Sequence, residues 1–171
     1  MKTINGIKGI IRYSLYDSKG NLKQEGISKN IVTTQGNRYY VDRLASVGGG
    51  TAKIFVLGTG NAAVGSTDTW VSGYYANNGT ALGTGGAVTV GQNSGTSNSL
   101  QYIGTFGAGY GTVADPITRV GLTNTDASAD GNGTTTGTST YFIAHGTISP
   151  SVNKGATDTL VVTWDHLFEG S

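Results

Sequence analysis

Thr140-Tyr141-Phe142-Ile143-Ala144-His145-Gly146-Thr147-Ile148 and Asp158-Thr159-Leu160-Val161-Val162-Thr163-Trp164-Asp165-His166-Leu167-Phe168 close the chain. In both stretches apolar and polar side chains alternate with the two-residue period of a strand half-buried against a core. Asn153-Lys154-Gly155 between them reads as a turn. No cluster of reactive side chains accompanies this ordered region. The pattern points to a β-rich scaffold that binds or coats something.

Working towards the N-terminus, the same period recurs. Ile117–Leu122, Leu100–Phe106, Val88–Val90 and Lys53–Leu57 each read as a strand. In Ile10–Tyr16 one face would carry Ile11, Tyr13 and Leu15. Asp17-Ser18-Lys19-Gly20 has turn chemistry, Asp opening and Gly closing, and Leu22–Ile27 can return as the partner strand. Residues 1–29 therefore read as a hairpin or arm, and 30–171 as the main domain. Asn30–Ala45 is the best helix candidate, with Thr33 or Thr34 as its cap and a narrow stripe of Tyr40, Val41 and Leu44. Ser46–Gly50 would end it. Gly65–Gly86 is long and irregular, and residues 123–138 read as an exposed loop. The expected fold is mainly β, a β-sandwich or jelly-roll with one short helix.

Composition supports this. Glycine is 29 of 171 residues, against about 7 % on average, and charged residues are 12 % where about 25 % is usual. Glycine with β-branched Thr and Val favours strands and turns over helices. A net charge of +1 gives no overall field to attract nucleic acid or an anionic membrane. No cysteine is present, so a disulfide framework or a thiolate site is excluded. Met1–Lys8 lacks the apolar stretch of a signal peptide. The expectation is a soluble protein made in the cytoplasm.

Candidate chemistry is sparse. His145 and His166, with Asp165 beside the second, are the residues that could form a metal or acid–base site. They would face each other if the closing strands paired. Asp126–Asn132 resembles the start of a calcium loop, but Gly137 stands where the bidentate glutamate belongs. Gly58-Thr59-Gly60 and Gly107–Gly111 lack the strand-to-helix setting of a phosphate loop and read as turns. Asp68 and Asp158 are isolated carboxylates. No catalytic residue, cofactor or metal is therefore assigned. Trp70, Tyr74 and Tyr75 sit in the irregular stretch, where exposed aromatic rings could anchor an interface or stack on sugars. These three, with Ile11, Tyr13 and Leu15 of the hairpin, are the expected contact residues.

Several short motifs carry a resemblance. Asn30-Ile31-Val32-Thr33-Thr34-Gln35-Gly36, followed by a short helix ending at Arg43-Leu44, resembles the opening of many tailed-bacteriophage virion proteins. Ile54–Gly60, then Ser66–Thr69, is similar to their next segment. Ile117-Thr118-Arg119-Val120-Gly121-Leu122 is similar to a later strand, with Arg119 in place of the usual glutamate. Tyr141–Ile148, Lys154 and Asp158–Phe168 are similar to their end. The resemblance covers residues 29–168. It implies a non-enzymatic virion part that decorates or cements the capsid by binding the major capsid protein. The alternative it implies is a tail or fibre accessory that binds host-surface glycans. It further implies a homo-oligomer, for which a trimer is expected, with residues 1–29 able to pair across subunits.

Overall fold

The computed structural model describes residues 7–46, 52, 54–69, 88–92, 98–110, 115–124 and 141–168. Strands β1 (Lys8–Tyr16) and β2 (Leu22–Val32) lead into helix α1 (Thr34–Leu44). Strands β3 (Ile54–Gly58), β4 (Val88–Gln92), β5 (Ser99–Phe106), β6 (Ile117–Thr123), β7 (Phe142–Val152) and β8 (Thr159–Leu167) follow. Among the described residues the fold is thus mainly β with one helix. The strands join in one sheet of order β3-β6-β7-β2-β1-β8-β5-β4, and every pairing is antiparallel.

The sheet curls back on itself. Phe55 of β3 stacks on Trp164 of β8, ring centroids 5.7 Å apart, although four strands separate β3 from β8 in the order. The two layers of the expected sandwich are the two halves of this continuous sheet. Its inner face holds Leu57, Tyr102, Phe106, Val120, Leu122, Leu160 and Val162, all buried.

The closing strands β7 and β8 do not pair, because β2 and β1 lie between them. The segment expected as a hairpin or arm over 1–29 does form a hairpin, but its β1 and β2 are two central strands of the sheet and not a separate arm. Its Ile11, Tyr13 and Leu15, expected at an interface, are 0–2 % exposed and belong to the core. They do share one face, but it is the inward face of a central strand.

Helix α1 closes one end of the curl. Thr33 is its N-cap: the side-chain oxygen accepts from Gly36 N at 2.9 Å, and the hydroxyl donates to the Phe142 carbonyl. Gly36 is required by closeness, since a Cβ there would lie 1.9 Å from the Ile143 carbonyl oxygen. The buried helix face is Gly36, Tyr39 and Tyr40, which share one side at i, i+3 and i+4. Val41 and Leu44, expected in the buried stripe, are 62 % and 86 % exposed. The tyrosines win the inward positions because their hydroxyls find partners there; Tyr39 accepts from Ala52 N at 2.9 Å. Thr33→Ala is expected to cost about 1–2 kcal/mol in urea denaturation, with Thr33→Ser retaining most of the cap.

Candidate functional site

The densest polar cluster lies inside the curl. His166, Gly9, Asn30 and Gly146 stand directly opposite one another on β8, β1, β2 and β7. Gly9 makes the cluster possible, because a Cβ there would sit 1.6 Å from Asn30 Oδ1. Without it, Asn30 leans across β1 and brings Nδ2 to 3.4 Å from His166 Nε2. With Nε2 accepting, Nδ1 carries the proton and donates to the Tyr40 hydroxyl. Tyr40 in turn donates to Tyr102, 3.0 Å away.

Burial sets the charge of this chain. His166 is fully buried and its pKa is pushed down to about 3, against a small opposing pull from Asp165. Tyr102 is pushed up to about 12 by burial, and Tyr40 is raised well above its ordinary value for the same reason. The chain is therefore neutral across the physiological range. Trp164, Tyr40 and Tyr102 pack their rings edge-on around the imidazole. A neutral, enclosed network of this kind locks the helix to β8 and β5 and, through His166, to β2.

His145 lies on the other side of the sheet. It neighbours Gly146, whose face is that of His166, so the two-residue period turns His145 outward. The condition for the histidines to face each other, paired closing strands, is not met; they are on opposite sides of the sheet and form no joint site. Asp68 covers His145, accepting from Nδ1 at 2.6 Å, and also accepts from Gly65 N at 2.8 Å. Burial lowers the His145 pKa; Asp68 opposes this and the Arg119 cation adds to it. His145 Nε2 has no hydrogen-bond partner among the described residues.

The segment around Asp68 is tied down elsewhere. Arg119 is buried and donates from Nε and Nη2 to the Ala62 carbonyl at 3.2 and 2.6 Å, and from Nη1 to the Thr118 carbonyl at 2.9 Å. Thr118 Oγ1 donates to the Gly60 carbonyl at 2.7 Å. At the opposite end of the curl the buried Lys154 donates to the Gly107 carbonyl at 2.9 Å, and burial lowers its pKa while Asp158 opposes. Lys23 meets Asp158 at 2.6 Å.

Of the glycine-rich stretches, Gly107–Tyr110 is a turn, with Tyr110 N donating to the Gly107 carbonyl and Gly109 at φ +82°, whereas Gly58 ends β3 and Thr59-Gly60 form no turn. Trp70, Tyr74, Tyr75 and the calcium-like Asp126–Asn132 lie outside the described residues. Among the described residues no three His, Asp or Glu side chains gather to hold a metal ion, and no helix is long and apolar enough to cross a membrane. An open depression of ≈ 700 Å³ is lined by Tyr16, Asp17, Ser18, Thr157 and Thr159 at the turn end. Sequence reasoning placed Asn30 and Tyr40 in one helical segment and missed their link to His166. Gly9, a glycine preceding an alternating strand, was the one available signal.

No protein-family model matches the chain, and no curated protein or solved structure matches it.

Proposed function

We propose that this chain is a non-enzymatic structural protein of a tailed-phage virion, a decoration or cement protein that binds the major capsid shell. One observation carries the reading: the motif residues that resemble virion proteins are spent on holding the sheet together. Thr33 caps the helix, Phe55 stacks on Trp164, Asp68 covers His145, and Lys154 and Asp158 brace the far end. Such a part needs shape and adhesion. It is made in the host cytoplasm, where thiols stay reduced and a cysteine-free chain is at no disadvantage. On the particle it adds contact area between shell subunits, alone or as a homo-oligomer.

A second reading, a tail accessory that holds host glycans, is favoured by the depression at Tyr16. Its lining combines an aromatic ring with the hydroxyls of Ser18, Thr157 and Thr159, a set suited to a neutral sugar. Sedimentation of purified protein with empty shells of the parent phage separates the two. Saturable binding to shells with a blank glycan array is the expected result. A positive array that Tyr16→Ala abolishes, without shell binding, would replace decoration by the second reading.

A further inference from the structure

Glu25, Ile27 and Lys29 project from the outer side of β2, opposite Ser14, Arg12 and Ile10 of β1. All three are exposed. Ile27 is 70 % exposed, more than any other large apolar side chain on the described strands. The cross-strand row through Ile27 continues over Arg12 and Thr163 to Ile103, which is 36 % exposed. Arg12 is ion-paired with Asp165, which also accepts from Gln101 Nε2 at 2.9 Å. Neither Glu25 nor Lys29 meets an opposite charge among the described residues.

We infer that this outer face packs against the same face of a second copy, about a twofold axis running along the row from Ile27 to Ile103. That axis reverses the strand direction of the second sheet. It sets Ile27 on Ile27 and Ile103 on Ile103. It also places Glu25 of each copy against Lys29 of the other, so the ion pair forms twice. Arg12 faces its own copy on the axis with its charge already met by Asp165. An axis parallel to the strands would oppose Glu25 to Glu25 and Lys29 to Lys29, which costs free energy. The order of charges around the exposed isoleucine thus selects one orientation and one occupant. The contact closes at two copies, whereas the expected trimer needs a head-to-tail surface. It does not depend on the virion reading.

Light scattering on the full chain over a concentration series tests this. Wild type is expected to be dimeric. Glu25→Lys and Lys29→Glu, each alone, raise the dissociation constant at least about tenfold. An equimolar mixture of those two variants restores the dimer, because one copy then presents two lysines and the other two glutamates. The double variant E25K/K29E dimerises by itself. All these side chains are exposed, and matching thermal melts confirm that the fold is retained. A wild type that stays monomeric, single variants that stay dimeric, or a mixture that stays monomeric would each overturn the proposal. The first of these would leave the face to an unrelated partner.

Discussion

Trp164→Ala is expected to cost about 3–5 kcal/mol of unfolding free energy, a large part of the stability of a single domain. Trp164 is fully buried and stacks on Phe55, so its ring joins the two halves of the curled sheet. Truncation leaves a cavity that strands on both sides must keep open, since each is pinned by its own ladder. Trp164→Phe is expected to cost much less. The indole Nε1 has no hydrogen-bond partner among the described residues, and phenylalanine removes that buried donor along with the lost volume. Urea denaturation of both variants gives the comparison. Similar losses for the two would mean that the stack on Phe55 does not tie the halves together.

Acid is expected to destabilise the fold through His166. Its pKa is about 3 in the folded protein and about 6.5 when unfolded. Between these values the unfolded chain binds a proton that the folded chain does not. Stability is therefore complete above about pH 6.5 and falls as the pH drops towards 3, by about 1.4 kcal/mol per pH unit. Asn30, Tyr40, Tyr102 and Trp164 surround the ring, and only Asp165, its chain neighbour, favours the charged form. From pH 7 to pH 5 the loss through this group is about 2 kcal/mol. His166→Gln lacks it, so wild type and variant, well separated at pH 7, should converge as the pH falls. His145, also shifted downward, acts equally in both and cancels from the difference. Denaturation curves that stay parallel from pH 7 to pH 5 would show that His166 is not held neutral.

Both effects arise from contacts that no local pattern contains. Every strand was legible in some part, and β5, β6 and β8 begin and end within two residues of their expected bounds, but β2 runs on to Val32 through Asn30–Val32, which were expected in the helix. The cap was legible as Thr33 or Thr34, because a threonine ahead of a helical segment has a local role, and Thr33 takes it. The buried helix face was not. Of the expected stripe only Tyr40 went inward; Val41 and Leu44 face out, and Tyr39 takes the other inward position, the two hydroxyls meeting Ala52 and His166. Of the candidate site, the histidines were found but not their surroundings.

Composition, turn chemistry and the two-residue period by themselves determined that this is a β protein, where its strands lie and which side chains share a face. These are properties of neighbours along the chain. Tertiary structure alone decided that β1 and β2 enter between β7 and β8, which sends His145 and His166 to opposite sides and makes the N-terminal hairpin part of the core. The physical reason is that alternation says which side of a strand is apolar, while the choice of neighbouring strand depends on how all the apolar faces are buried together.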